Sequence, residues 1–109
     1  MNYNVASIPK FEKELKRLTK KYHSLKNEYI ELVKDLKKNP IQGINLGNNC
    51  YKIRLAIASK GKGKSGGARI ITCVKIIEET VYLLTMFDKS EEANISDHEL
   101  LALLRWIPE

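Results

Sequence analysis

Apolar residues change their period several times along this chain, and each change marks a predicted boundary. "NYNVASI" (2–8) alternates loosely and predicts a first strand. Phe11, Leu15, Leu18 and Tyr22 then recur at helical spacing, with Pro9 where the first turn of a helix tolerates proline. Leu25, Tyr29, Leu32 and Leu36 repeat that spacing in a second helix, with Ser24 as candidate N-cap and Asn39-Pro40 as the stop. "QGINLGNN" (42–49) breaks the pattern and reads as a loop. "CYKIRLAIA" (50–58) alternates cleanly: Tyr51, Ile53, Leu55 and Ile57 fall on one face, and Lys52, Arg54, Ala56 and Ala58 on the other. "ARIITCVKII" (68–77) is apolar on both sides, as a central strand should be. Glu78-Glu79 makes a tight turn into the strand "TVYLLTMF" (80–87). "SDHELLALLRWI" (96–107) is a leucine-rich helix with Ser96 and Glu99 in capping-box spacing. The predicted order is β-α-α-β-β-β-α, an α+β fold with helices packed on an antiparallel sheet. With 109 residues the expectation is one small domain.

Charge adds what periodicity cannot. The net charge is +6, but its distribution matters more. Residues 9–38 hold ten Lys/Arg against five acids, and the outward lysines of both helices read as solvated surface. Residues 39–77 hold seven cations (Lys52, Arg54, Lys60, Lys62, Lys64, Arg69, Lys75) and no acid. Residues 78–109 reverse the sign, with eight acids against Lys89 and Arg105. Cations have no propensity reason to gather in strands, so the middle block points to a polyanion partner, with nucleic acid first. Two cysteines without CxxC or CxxH spacing exclude a disulfide framework and a zinc site, and Cys50 and Cys73 are expected to be buried thiols. No metal or other cofactor is expected. The opening "MNYNVASIPKF" has no apolar signal core and no run approaches membrane-spanning length, so the expected address is cytoplasmic, with no membrane partner.

The stretch "ASKGKGKSGGARII" (58–71) superficially resembles a phosphate-binding loop. A Walker A loop needs GxxxxGK[ST] between strand and helix. Counting back from Gly63-Lys64-Ser65, the first glycine would fall on Ala58, and the segment that follows is a strand. Spacing and context both exclude a nucleotide cradle. Residues 59–68 read instead as a mobile hairpin connection whose Lys60, Lys62 and Lys64 can follow a phosphodiester backbone. If Ala58 pairs with Arg69 across this loop, Arg54 faces Cys73 and Lys52 faces Lys75. Lys52, Arg54, Arg69 and Lys75 then project from one sheet face, with no counter-charge unless Asp88 supplies one. Such uncompensated clustering costs folding energy and marks candidate functional sites.

"CYKIRLAIASKGKGKSGGARII" followed by "YLLTMFDKSE" resembles the RelE/ParE superfamily of type II toxin-antitoxin toxins, most closely the HigB-like branch of RelE toxins. The resemblance covers the helical pair, the Asn-Pro stop, the "YKIRL" strand, the loop, the "YLL" strand and the final helix. It implies a single RelE-like toxin domain over 1–109 with a microbial RNase fold, and ribosome-dependent cleavage of mRNA in the ribosomal A site. It also implies neutralisation by a cognate antitoxin, commonly a helix-turn-helix protein. The family's catalytic basic residues fall on Lys52, Arg54 and Arg69. A further family arginine aligns near Lys89 or Ser90. The family's C-terminal tyrosine would fall near Ser96, which reads as a helix cap, and neither Tyr82 nor Phe87 replaces it by position.

The chemistry implied is attack of a 2′-hydroxyl on the neighbouring phosphorus. His23, at a helix junction, and His98, on the last helix, are expected to be structural. A lysine can act as base where burial and cationic neighbours favour its neutral form, and Lys52, beside Arg54, is the candidate. Arginine stays protonated, so Arg54 and Arg69 are cast as clamps on the transition state, and Lys89 as the acid for the leaving group. Lys60, Lys62, Lys64 and Lys75 are the expected RNA-binding residues. Trp106, Leu103 and Leu104 are read as core ahead of an antitoxin groove. Two alternatives stand: a ParE-like inhibitor of DNA gyrase, and a non-catalytic member that binds RNA or a partner.

Overall fold

The computed structural model describes residues 2–108. Its elements are β1 (Asn4–Ser7), α1 (Pro9–Lys21), α2 (Leu25–Lys38), β2 (Ile44–Gly47), β3 (Cys50–Leu55), a short 3-10 turn (Ala58–Lys60), β4 (Ala68–Lys75), β5 (Thr80–Asp88) and α3 (Asp97–Leu104). The five strands form one sheet in the order β1-β5-β4-β3-β2. The α+β class and both helical pairings follow the sequence pattern, with two differences.

First, the sheet is mixed. β1 runs parallel to β5, with Val5 opposite Val81, while the β2–β3, β3–β4 and β4–β5 pairs are antiparallel. The α1–α2 hairpin separates β1 from the other strands along the chain, and alternation of side chains carries no information about strand direction. Second, part of the predicted 42–49 loop is strand β2. Asn48 and Asn49 both take positive φ (54° and 61°) between the paired Gly47 and Cys50. Two left-handed residues in succession make the primed turn whose twist suits a hairpin, and asparagine tolerates that conformation better than other side chains.

The register sorts the sheet into two faces. Ile53, Ile70 and Met86 align across β3, β4 and β5 and are buried with Phe11 and Leu18 of α1 and Leu25 and Leu36 of α2. That side is the helix-covered core. Arg54, Arg69 and Phe87 align on the opposite side, over which residues 93–94 pass, since the Lys52 ammonium reaches the Asn94 side chain. Leu100 of α3 and Ile107 behind it complete the core.

Several ends differ from the predicted ones. β3 stops at Leu55 and β4 at Lys75, so Ile76 and Ile77 stand in a turn, the latter 99% exposed. Trp106, expected in the core, is 63% exposed beyond the end of α3. Ser96 caps α3 as its spacing predicts, accepting the Glu99 amide at 3.1 Å. Ser24 sits at the α2 N-cap without capping it. Its hydroxyl oxygen instead accepts the Ser59 amide at 2.9 Å, while Glu28 accepts the Ala58 amide at 2.7 Å. The start of the Lys/Gly loop is thereby fastened to the junction of the two long helices.

Candidate nucleic-acid interface

The β3–β4 register sets the site, and it is displaced by four residues from the sequence-based expectation. Arg54 pairs with Arg69, and Lys52 with Ile71. An even displacement preserves which face each side chain occupies, so Lys52, Arg54 and Arg69 still share one side. Beyond β3, the Val74 amide donates to the Asn49 carbonyl at 2.9 Å, which makes 49/74 a hydrogen-bonded pair. By alternation 54/69 is a non-hydrogen-bonded pair, with Cα atoms about 4.5 Å apart and side chains drawn together. The two arginine side chains thus leave the sheet from neighbouring positions on one face.

Their environments differ. Arg54 is exposed, whereas Arg69 is 5% exposed. The Arg69 guanidinium donates to the Lys64 carbonyl (2.9 Å), the Ala68 carbonyl (3.2 Å) and the Ser65 carbonyl (3.3 Å). Burial, and then repulsion from Arg54, pull the Arg69 pKa below the ordinary arginine value. Arginine keeps its proton regardless, so the pair remains doubly cationic. No ion pair among the described residues involves Lys52, Arg54 or Arg69.

Lys52, Arg54 and Lys64 line one hollow of about 320 Å³ together with Gln42, Gly43 and Ile44. Gly43 is required here: its φ is +90°, and a Cβ would lie 2.2 Å from the Lys52 carbonyl oxygen. The hollow opens toward a larger groove where Arg54 and Lys64 face Glu28, Glu31 and Asp35 of α2, an acidic wall that repels a polyanion. Lys89 approaches from the other side. The Lys52 ammonium donates to the Asn94 side chain at 3.2 Å and the Lys89 ammonium to the Ala93 carbonyl at 3.0 Å. Consecutive residues therefore hold the two candidate proton carriers. Nothing in the sequence signalled Asn94; only the path of the chain after β5 brings it over β3.

Two of the basic residues named above lie apart. Lys75 is on the same face but six residues along β4 from Arg69, about 20 Å away, beside Glu78 and Arg105. Lys60 is on the helix-covered side, where its ammonium bonds the fully buried Asp88 carboxylate. Asp88 also accepts from the Tyr22 hydroxyl and from the Ser90 amide and hydroxyl. Burial alone would raise the Asp88 pKa, but the bonds from Lys60, Tyr22 and Ser90 outweigh it and hold the carboxyl well below the usual range. Asp88 opposes Ala68, so it is no counter-charge to the Arg54–Arg69 face. Lys62 and Lys64 extend from the loop, both exposed.

The aromatic residues are also located. Phe87 is directly opposite Arg69 and buried; the Tyr82 hydroxyl donates to Glu78 at 2.9 Å, at the other end of β5. Among the described residues no group of three His, Cys, Asp or Glu side chains converges as a metal site, and no helix is long and apolar enough to cross a membrane.

The mixed five-stranded sheet carries the helical hairpin on one face, and the cationic hollow opens at its β2–β3 edge beside α2. The fold matches a double-alanine mutant of the Escherichia coli toxin RelE in its free state over 99% of this chain and 100% of that one (TM-score 0.66, 15% identity). It also matches the isolated E. coli RelE toxin over 96% and 99% of the two chains (TM-score 0.56, 22% identity). The family model for the RelE toxin of the RelE/RelB toxin-antitoxin system matches residues 10–106. The chain belongs to the RelE toxin family, and is a toxin of a toxin-antitoxin system.

Proposed function

We propose that this toxin is an endoribonuclease that cuts mRNA in the ribosomal A site, without a metal ion, and so stops translation. One observation carries the reading: Arg54 and Arg69 are paired directly across β3 and β4, with Lys52 and Lys64 beside them and no carboxylate between. Two neighbouring arginines suit the non-bridging oxygens of a phosphodiester, whose negative charge grows as a fifth oxygen approaches phosphorus. Lys52, as the neutral amine, takes the 2′-hydroxyl proton. The 2′-oxygen attacks phosphorus, the bond to the 5′-oxygen breaks, and Lys89 protonates that oxygen. The products are a 2′,3′-cyclic phosphate and a 5′-hydroxyl. Lys62 and Lys64 follow the backbone on either side of the cut.

Arg69 must exchange part of its carbonyl shell for phosphate oxygens, so substrate engagement moves the Lys64–Ser65 segment. The glycine-rich loop has the freedom to do so, with Gly61 and Gly63 at positive φ. Neither Lys60 nor Lys75 is assigned to the scissile link: Lys60 tethers the loop through Asp88, and Lys75 lies too far along β4. The Lys/Gly loop running into "GGAR" supports the HigB-like branch, and with it a helix-turn-helix antitoxin and a cytoplasmic site of action.

A binding module without catalysis is favoured by one observation: a buried phenylalanine, not a tyrosine, opposes Arg69. Mapping new mRNA 5′ ends after induction separates the readings. Cuts in phase with ribosome-bound codons support the nuclease. Intact mRNA with a supercoiling defect would instead indicate a gyrase poison, and neither effect would leave the binding module.

A further inference from the structure

Two thiols have no part in this chemistry, yet the sheet sets them face to face. Cys50 opens β3 and Cys73 lies directly opposite in β4. The alternation that begins at the hydrogen-bonded 49/74 pair makes 50/73 a non-hydrogen-bonded pair. Its Cα atoms stand about 4.5 Å apart, inside the range of about 4.4–6.8 Å that a disulfide spans. Both cysteines are free and buried. Both sulfurs also converge on one acceptor, the Asn48 carbonyl oxygen, at 3.4 Å from Cys50 Sγ and 3.9 Å from Cys73 Sγ.

We propose that Cys50 and Cys73 form a redox modification site, closing to a cross-strand disulfide when a small peroxide reaches them. Cys73 is the attacking thiol. The hydrogen bond from Cys50 draws its pKa below the usual thiol value against the effect of burial, with help from Lys75. The Cys73 thiolate attacks one peroxide oxygen and breaks the O–O bond, giving a sulfenic acid and hydroxide, which becomes water on taking up a proton. The Cys50 sulfur then attacks the sulfenic sulfur. Its proton leaves with the displaced hydroxyl as a second water, so two thiols are oxidised and one hydrogen peroxide is reduced. The thiols are buried beneath the exposed Asn48–Asn49 turn, so a small peroxide suits the site better than the bulky glutathione disulfide.

The bond would tie β3 to β4 two residues from Lys52, on the same face, and enclose the whole Lys/Gly loop within a covalent ring. The test uses the full chain: exposure to hydrogen peroxide in the native state, unfolding in the presence of an alkylating agent, then intact mass and thiol count. The expected result is that both thiols disappear together with the loss of two hydrogens and no added oxygen. Dithiothreitol should restore them, and the oxidised protein should unfold at higher denaturant than the reduced one. In Cys50→Ser the reaction should stop at a sulfenic acid on Cys73, trapped by dimedone. Wild-type thiols that stay free, gain oxygen singly, or link chains to one another would overturn the proposal.

Discussion

Arg54 and Arg69 illustrate how two like residues acquire different duties from their surroundings. Arg54 is exposed and its side chain makes no hydrogen bond or ion pair among the described residues, so Arg54→Ala should leave the melting temperature within about 1 °C while cutting mRNA cleavage about 100- to 1,000-fold, the usual cost of losing one transition-state donor. Thermal melts and primer extension on ribosome-bound message check the two halves. Arg69 holds three carbonyls of its own loop, and Arg69→Lys keeps the charge but loses the planar fork that makes those bonds. It should therefore lose cleavage and loosen the loop, read as faster amide exchange over residues 61–67. Both arginines and Lys52 were legible as candidates from the sequence, because a residue's face follows from its parity along a strand. Asn94 was not, since contact between residues 52 and 94 depends on the route of an irregular segment.

At the scale of the element, the Lys/Gly loop is less free than its composition suggests. Lys60 and Asp88 fasten its start, and their side chains are 9% and 0% exposed. Removing one partner strands the other charge in the interior, so Asp88→Ala should destabilise the fold by about 3–5 kcal/mol. The double variant Lys60→Met, Asp88→Leu should lose much less, because no buried charge remains; urea titration of wild type and the two variants checks that order. The depressed Asp88 pKa also gives the sign of an acid effect. Its folded pKa lies below its unfolded one, so its contribution is complete above the unfolded carboxylate value and is lost as pH falls through the folded one. In Asp88→Asn that part of the acid sensitivity should vanish. From the sequence Lys60 was one loop lysine among three, and the turn Ala58–Lys60 that swings it inward follows from Ser24 and Glu28 holding the chain there. The β2 strand was missed for a comparable reason: four residues are too few for a periodic signal, although Asn48-Asn49 before a clean strand was the hairpin cue.

For the whole molecule, the arrangement of charge predicts a graded response to salt. If Lys62, Lys64 and the Arg54–Arg69 pair each neutralise one phosphate, the logarithm of the RNA affinity should fall with the logarithm of salt at a slope of about −2. Lys64→Ala should shallow that slope by about 0.7, whereas Lys75→Ala, at the far end of the sheet, should leave it unchanged. Fluorescence anisotropy with a single-stranded oligonucleotide distinguishes the two variants. On this reading the acidic wall of α2 would keep an RNA strand on the β3–β4 side of the hollow.

The sequence by itself determined the helices, the three long strands, the α3 cap and which cations share a side within each strand. All of these depend on period and parity, which are local properties of the chain. Only the tertiary structure decided the parallel placement of β1, the four-residue displacement that sets Arg54 against Arg69, the burial of Lys60 with Asp88 and the separation of Lys75. Those depend on which strand edges meet and how far each is slid along its neighbour, and an even slide leaves every side chain on its own face.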